Sequence, residues 1–352
     1  MVGAILALCL IGLAQIYSAT YSQQSGVSSI FYTQIWAIFL GFIGLLIALS
    51  IDYRSLADKS HFLYIGILAL LIGVLLFGVV RGGSRRWIDL GPMNLQPSEF
   101  AKATLALVLA KFFGESRRGA ITRGDFLIAA AITAVPLLLI SRQPDLGTAV
   151  TLVPVLFAAA YMAGMPMRVF GILAIAAVLA APVAWKFALK DYQKERISTF
   201  INPSQDARGA GYQQIQARIT VGSGGLWGKG FQKGTQGQLR FLPVAHNDFI
   251  FSVLAEEHGF VGVVVALGLY LFVILRSLEA ARLAKDRLGA YLVLGVLATF
   301  TFQVIYNIAM SAGLLPVKGL TLPLMSYGGS SMIATLAGFG LILNVRMRRF
   351  TN

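Results

Sequence analysis

Residues 62–80 read FLYIGILALLIGVLLFGVV, an apolar run that carries no charged side chain. A helix that crosses the hydrocarbon core of a bilayer needs about 20 such residues, so this run predicts a transmembrane span. Comparable runs occur at about 1–20, 30–50, 99–114, 125–141, 147–164, 168–189, 248–275, 289–311 and 329–345. The sequence therefore predicts an all-α polytopic membrane protein of about ten transmembrane helices, with residues 1–352 forming a single integral membrane domain.

The composition of the chain agrees with this class and excludes several others. Its 352 residues are 57% hydrophobic and 12% charged. A soluble domain carries about 25% charged residues, so a water-soluble enzyme is excluded. A single cysteine, Cys9, excludes an intrachain disulfide and a cysteine-rich zinc site. The formal net charge of +14 favours anionic lipid or an anionic lipid-linked substrate over nucleic acid.

The distribution of Lys and Arg predicts which way the chain crosses the membrane. These residues are enriched in short cytoplasmic loops, and the short loops here favour an arrangement with both termini in the cytoplasm. The first apolar run has no cleavage-site pattern and is expected to remain as a span. The long connection at 190–247 then lies outside, although it is rich in Lys and Arg. Either a long loop crosses regardless of its charge, or this side of the protein handles an anionic ligand.

Residues 190–247, between the seventh and eighth predicted helices, are too long and too patterned for a simple connector. The stretch 208–221 predicts a short amphipathic helix on the membrane surface. The glycine-rich stretch 222–230 either lets backbone amides approach a ligand or supplies turns for a re-entrant loop. It is not a Walker loop, because Lys229 is followed by Gly230 rather than by Ser or Thr. We expect this extracytoplasmic loop to form part of an active site.

Charged residues stand at the start of the fourth apolar run, where a charge is costly unless it faces a cavity or a partner. Glu99 and Lys102 are spaced i, i+3, which places both on one helix face, either as a structural ion pair or as ligands. Pro97 and Ser98 before them predict a helix start with a capping hydroxyl.

Further carboxylates mark the sixth and eighth runs. Asp145 precedes the sixth run, and Asp248 opens the eighth, where it is either a helix N-cap or a functional carboxylate. Glu256 and Glu257 lie about two helical turns deeper and are either satisfied structural carboxylates or part of a site. The polar residues inside the later spans are interpreted as interhelical hydrogen bonders: Gln303, Asn307 and Asn344.

Several longer motifs occur in one order along nearly the whole chain, at 86–88, 96–102, 143–149, 211–213, 222–230, 241–243, 248–251, 254–257, 313–316 and 326–331. In these motifs the chain resembles the SEDS family (shape, elongation, division and sporulation), and its elongation-type members more than its division-type members. Val244 stands where the family usually has Glu, and Asn247 where it usually has Thr. The first departure weakens any role for a second carboxylate near Asp248.

The resemblance implies a peptidoglycan glycosyltransferase of the bacterial cytoplasmic (inner) membrane. Such an enzyme polymerises lipid II into glycan strands at the outer face of the membrane during cell elongation, with a class B penicillin-binding protein and other elongation machinery. The acceptor GlcNAc 4-hydroxyl attacks the donor anomeric carbon, and undecaprenyl pyrophosphate leaves with inversion. The family pattern places its essential aspartate on Asp248, which is expected to act as general base.

Cations on the predicted outer side, with neighbouring polar residues, are expected to hold the diphosphates. The candidate substrate-binding residues are Arg85, Arg86, Trp87, Glu99, Lys102, Asp145, Arg196, Arg208, Arg218, Lys229 and Arg240. A divalent cation, Mg or Mn, that bridges the diphosphate to Glu99 or Asp145 is a hypothesis, although the sequence has no DxD motif. Two alternatives stay open: a lipid II flippase and a non-catalytic cell-wall scaffold.

Overall fold

A computed structural model describes residues 1–21, 26–81, 84–89, 91, 94–115, 121–187, 191–206, 209–238 and 241–350. The described chain is predominantly helical. Its helices are α1 (Val2–Thr20), α2 (Ser29–Ser50), α3 (Tyr53–Asp58), α4 (Ser60–Phe77), α5 (Pro97–Gly114), α6 (Arg123–Arg142), α7 (Leu146–Met162), α8 (Met167–Phe187), α9 (Asp191–Ile201), α10 (Ala210–Ser223), α11 (Thr235–Gln238), α12 (Ile250–Arg282), α13 (Arg287–Ser311) and α14 (Gly329–Met347). Every apolar run of the sequence corresponds to one of these helices, so the predicted helical class is confirmed.

Among the described residues, seven helices are long and apolar enough to cross a membrane: α1, α2, α4, α6, α12, α13 and α14. The helix α7 and the apolar part of α8, Met167–Val183, are shorter, and α5 carries Glu99 and Lys102 in its first two turns. The protein is therefore a multi-pass membrane protein. The count of ten spans and the orientation of the chain remain predictions.

The helices pack as a bundle with α13 near its centre, against α5, α7 and α12, while α14 packs along α2 and α1 along α12. Small residues allow the closest approaches, as is common between membrane helices. A Cβ on Gly340 of α14 would lie 2.5 Å from the Leu45 carbonyl oxygen of α2. Cys9 of α1 is a free thiol buried in this core.

A small antiparallel sheet between α4 and α5 corrects the prediction of a purely helical chain. Its strands β1 (Val79–Arg81), β2 (Ser84–Asp89) and β3 (Asn94–Leu95) lie in the order β1-β2-β3. The pairs Val79 with Trp87 and Ile88 with Leu95 set the register. This sheet stands over the ends of α4 and α5 and carries Arg85, Arg86 and Trp87.

The long connection is folded, as its patterning predicted. The helix α10 confirms the predicted helix at 208–221, and its buried residues Gly211, Gln214, Ala217 and Thr220 lie on the face that meets the bundle at α12 and α13. One face of α10 is therefore used by the protein itself. Its position relative to a membrane surface remains a prediction.

The helix α12 has 33 residues and is broken at Gly259, whose φ of 62° and ψ of −161° are not helical. At 1.5 Å per residue its full length is roughly 50 Å, longer than a bilayer core of about 30 Å. The part after the break is long enough to span the core. The part before it, 250–258, is surrounded by protein and leads back to Asp248.

The glycine-rich stretch 222–230 lies against this break. The amides of Lys229 and Gly230 donate to the carbonyls of Glu256 and Glu257 at 2.9 Å each. In return, the amides of Phe260 and Val261 donate to the loop carbonyls at 225 and 226, at 2.9 and 3.2 Å. The expectation that these loop amides face a ligand is therefore wrong for Lys229 and Gly230, because the broken helix leaves carbonyls without helical partners and the loop satisfies them.

Candidate functional site

Asp248 stands at the end of a tight turn that leads into α12. The amides of Asn247 and Asp248 donate to the Val244 carbonyl at 3.0 and 3.3 Å, and Val244 has a positive φ of 52°. Phe249 is the N-cap residue of α12 and makes no side-chain capping bond. The interpretation of Asp248 as an ordinary N-cap is therefore wrong. Within the described part of the chain, its carboxylate receives no hydrogen bond, which leaves it available to a substrate.

The backbone of Asp248 is held from α13. The side-chain amide of Asn307 donates to the Asp248 carbonyl at 2.9 Å and to the Leu320 carbonyl at 2.6 Å. This confirms Asn307 as an interhelical hydrogen bonder. The same contacts bring the connection between α13 and α14 to the turn, so that a Cβ on Gly319 would lie 3.5 Å from Asp248 Oδ2.

This connection also places Lys318, a cation that the sequence analysis did not select, near the turn that carries Asp248. Its Nζ lies 5.7 Å from the centre of the Tyr306 ring, and Tyr306 fixes the connection by donating to the Pro316 carbonyl at 2.9 Å. Burial lowers the pKa of Lys318, and the nearby charge of Arg196 lowers it further. Lys318 stands two residues after the motif at 313–316, and this spacing alone did not predict its position near Asp248.

Two cations on separate elements lie near the Asp248 carboxylate. Burial raises the pKa of Asp248 to about 6, while Arg86 of β2 and Arg196 of α9 act in the opposite direction and lower it. Desolvation therefore outweighs the positive charges. A carboxylate with this pKa is ionised at neutral pH yet basic enough to accept a proton, which is the property of a general base.

Arg86 is held in place by Asp145. Its Nη1 lies 3.4 Å from Asp145 Oδ1, and the Gln96 side-chain amide donates to Asp145 Oδ2 at 2.7 Å. Asp145 also caps α7 by accepting the Thr148 amide at 3.2 Å, and its side chain is only 2% exposed. Asp145 thus positions the side chain of Arg86, which remains 29% exposed.

Glu99 and Lys102 form the predicted ion pair. Lys102 donates to Glu99 Oε2 at 2.8 Å and to Gln303 Oε1 at 3.0 Å, and both charged side chains are nearly buried. Ser98 does not cap the helix, which corrects the expectation of a capping hydroxyl, because Gln96 is the N-cap residue and makes no side-chain bond. A cavity of about 30 Å³ borders the pair. Contact of this pair with substrate remains a prediction.

Lys229 is paired with a buried carboxylate. Its Nζ donates to Glu256 Oε1 at 2.6 Å and to Thr235 Oγ1 at 2.8 Å, and the Gln236 amide donates to the same Glu256 oxygen at 3.1 Å. Glu256 is therefore a satisfied structural carboxylate, as one interpretation of the sequence held. The structure gives the Lys229 charge a partner within the fold, and phosphate binding by Lys229 remains a prediction.

The other candidates are spread more widely. Arg85 is exposed and donates to the Leu76 carbonyl at 3.1 Å, and Trp87 lies 5.7 Å from the Arg86 guanidinium. Arg218 is exposed on α10 and packs its aliphatic chain against Gly313. Two further candidates, Arg208 and Arg240, lie outside the described residues.

The described side chains do not favour the hypothesis of a divalent cation. No group of three or more His, Cys, Asp or Glu residues that could hold a metal ion occurs in the part of the chain that the structure describes. The two carboxylates considered for it already have cationic partners, Lys102 for Glu99 and Arg86 for Asp145. The positive charges near Asp248 can themselves neutralise a diphosphate.

The arrangement thus combines a carboxylate that accepts no hydrogen bond from the described residues with guanidinium and ammonium groups near it. A family model described as a cell cycle protein of the FtsW, RodA and SpoVE type matches residues 1–350. The peptidoglycan glycosyltransferase MrdB of Escherichia coli strain K12 is 38% identical over 316 residues, which cover 90% of this chain and 85% of MrdB.

Two solved structures show the same fold. A chain of a peptidoglycan synthase complex, studied for the structural coordination of polymerization and crosslinking, matches with a TM-score of 0.87 and 34% identity, covering 100% of this chain and 98% of that one. The rod shape determining protein RodA of Thermus thermophilus matches with a TM-score of 0.74 and 32% identity, covering 100% and 97%.

Proposed function

Since this chain belongs to the SEDS family, represented by FtsW, RodA and SpoVE, we propose that it is a peptidoglycan glycosyltransferase that polymerises lipid II into glycan strands during cell elongation. The observation that carries the proposal is the Asp248 carboxylate, which has a pKa of about 6 and lies near Arg86 and Arg196. The curated relative MrdB has the same activity in its name.

Asp248 acts as the general base. Its carboxylate takes the proton of the acceptor GlcNAc 4-hydroxyl while the oxygen bonds to the anomeric carbon of the donor MurNAc. The bond from that carbon to the diphosphate breaks, and undecaprenyl pyrophosphate leaves with the electron pair. One displacement converts the α-linked donor into a β-1,4 product, and the leaving group needs no general acid.

The cations stabilise the charge that develops on the leaving diphosphate. Arg86, anchored by Asp145, has a partly exposed side chain. Arg196 of α9 and Lys318 of the α13–α14 connection lie near each other. Electrostatic stabilisation of this kind commonly supplies a large share of the catalytic effect. Burial makes the interaction stronger than it is in water.

The active site faces the outside of the bacterial cytoplasmic membrane. With both termini in the cytoplasm, the predicted topology places the segments that carry Arg86, Asp145, Arg196, Asp248 and Lys318 on the same, outer side. The contacts among these residues support their placement on one side, because segments on opposite sides of a bilayer cannot meet. The extracytoplasmic loop at 190–247 then contributes Arg196 and the turn before Asp248.

The protein works with a class B penicillin-binding protein and other elongation machinery. Support comes from the likeness to a chain of a peptidoglycan synthase complex that couples polymerization with crosslinking.

The test is polymerisation of purified lipid II by the purified protein with its partner, read as glycan products on a gel. Asp248→Asn removes the base without changing the shape of the side chain and is expected to lower the rate at least about 100-fold. Asp191→Asn changes an exposed carboxylate at the start of α9 and is expected to keep the wild-type rate. Full activity in Asp248→Asn with an unchanged melting temperature excludes Asp248 as the base.

The same preparation tests the two alternatives. A flippase moves fluorescent lipid II between the leaflets of liposomes without making strands, and a scaffold does neither. We expect strands and no transport beyond that of protein-free liposomes. Transport without strands contradicts the proposed function.

A further inference from the structure

A cavity of about 320 Å³ lies beside the turn that leads to Asp248. Val244, Ala245 and His246 form one wall, and Thr20, Tyr21 and Ser28, from the end of α1 and the start of α2, contribute to the wall opposite. The Asp248 amide donates to the Val244 carbonyl at 3.3 Å. The cavity and the catalytic carboxylate therefore share one short piece of backbone.

The chemistry of this wall differs from that of the site around Asp248. The described lining residues include no Lys, Arg, Asp or Glu. They offer the hydroxyls of Thr20, Tyr21 and Ser28 and apolar groups such as Pro243 and Leu242. Because Thr20 Oγ1 already donates to the Ile16 carbonyl at 2.7 Å, it can only accept from a ligand, whereas Ser28 Oγ accepts the Ile30 amide at 3.3 Å and can still donate. Burial lowers the pKa of His246, so its ring is neutral at physiological pH and can accept as well as donate a hydrogen bond.

The wall is also supported from behind. The ring of Tyr21 lies 5.5 Å from the ring of Tyr17, which in turn packs edge-on against Phe31 at 5.4 Å. The Tyr327 amide donates to the His246 carbonyl at 3.0 Å, and the two rings of these residues are 5.8 Å apart. Tyr21 and His246 are therefore held in place before any ligand arrives.

We propose that this cavity is a subsite for neutral N-acetylated sugar units, placed beside the catalytic turn. Hydroxyls together with apolar and aromatic surface match the hydroxyls and the C–H faces of a sugar ring, whereas the cations near Asp248, which do not line this cavity, bind the diphosphate. The volume is within the range of about 300–1,000 Å³ that is usual for small-ligand pockets. This inference rests on the proposed function and adds to it where the sugars lie.

The first test is binding of a tetrasaccharide of alternating GlcNAc and MurNAc whose lactyl carboxylates are amidated, so that the probe is neutral and carries no lipid and no phosphate, measured by calorimetry on the full chain in nanodiscs. We expect binding to the wild type and to Asp248→Asn, and no competition from undecaprenyl pyrophosphate. Tyr21→Ala, which removes part of the wall, and Thr20→Leu, which fills the cavity, are expected to weaken binding about fivefold or more, as for the loss of at least one hydrogen bond.

The matched control is Tyr32→Ala. Tyr32 is also near the outer end of α2, but its side chain is 55% exposed and does not line the cavity. It is expected to bind the tetrasaccharide like the wild type. Equal affinity in wild type, Tyr21→Ala and Thr20→Leu, with unchanged melting temperatures, overturns the proposal.

The second test distinguishes the two sources of such sugars. If the cavity holds the growing strand, Tyr21→Ala makes strands several-fold shorter while the first coupling of two lipid II molecules keeps its rate. If it holds the sugars of an incoming lipid II, that first coupling slows as well. Strands of wild-type length formed at the wild-type rate contradict the subsite, whereas a wild type that makes no strands contradicts the proposed function itself.

Discussion

At the scale of single residues, the site depends on how the environment of Asp248 changes its proton affinity. Burial raises its pKa from 3.8 to about 6, and the charges of Arg86 and Arg196 keep the shift from being larger. The carboxylate is therefore protonated below that value and ionised above it. Because only the ionised form can take a proton from the acceptor hydroxyl, the pKa of Asp248 should govern the reaction at acidic pH.

We expect the initial rate of lipid II polymerisation to rise with pH through an apparent pKa of about 6 and to level off above it. Arg86→Met removes a charge that lowers the pKa of Asp248, so the rising limb should move to higher pH, in addition to any loss of rate. The measurement is the rate from pH 4.5 to 8.5 for both proteins. If the rate of Arg86→Met rises with pH over the same range as that of the wild type, Arg86 does not lower the pKa of Asp248.

At the scale of elements, the broken helix α12 and the glycine-rich loop form one unit. A Cβ on Gly259 would overlap backbone atoms of Leu226 and Gly228. Its φ of 62° with ψ of −161° also belongs to a region that is essentially restricted to glycine. The break thus requires glycine for both its conformation and its close packing, and it fixes the direction from which α12 leads back to Asp248.

Gly259→Ala is expected to destabilise the protein by about 1–3 kcal/mol through backbone strain, with more from the overlap. The matched control is Gly268→Ala on the same helix, where a Cβ would meet open space and alanine favours the helix by about 1 kcal/mol. Thermal unfolding in detergent measures both variants. A lower melting temperature in Gly268→Ala than in Gly259→Ala is the opposite of what this packing implies.

A second prediction at this scale concerns the ion pair between Lys229 and Glu256. Glu256 is fully buried and Lys229 is 28% exposed, so Lys229→Met leaves a buried carboxylate without its cation. Breaking such a pair typically costs about 3–5 kcal/mol. The double variant Lys229→Met/Glu256→Gln removes both charges and should recover much of the lost melting temperature.

The activity of that double variant decides between two roles of Lys229. If the residue only holds the loop on α12, polymerisation should return together with stability. If Lys229 also binds the diphosphate, the rate should stay low when the melting temperature has recovered. The comparison uses lipid II polymerisation at a temperature where both variants are folded.

At the scale of the whole molecule, apolar runs predicted the helices because a membrane-spanning helix needs a long uncharged segment. Each such segment can be recognised from its own residues, without knowledge of its partners. The sheet at 79–95 gave no such signal, since its strands have only three, six and two residues. Lys318 and the amides of Lys229 and Gly230 depend on partners far along the chain, which no local pattern specifies. The family motif selected Asp248 from the sequence. Only the structure showed that Phe249, and not Asp248, is the N-cap residue of α12.

The orientation of the molecule gives the last prediction, because the site is assembled from segments that must lie on one side of the membrane. The chain's only cysteine, Cys9, is buried, so a Cys9→Ala background permits single-cysteine labelling. Asp191→Cys at the start of α9 should react with a membrane-impermeant maleimide on intact cells. Arg282→Cys at the end of α12, an exposed position, should react only after permeabilisation. The reverse pattern would put Asp248 on the cytoplasmic face and remove it from the strands being built outside.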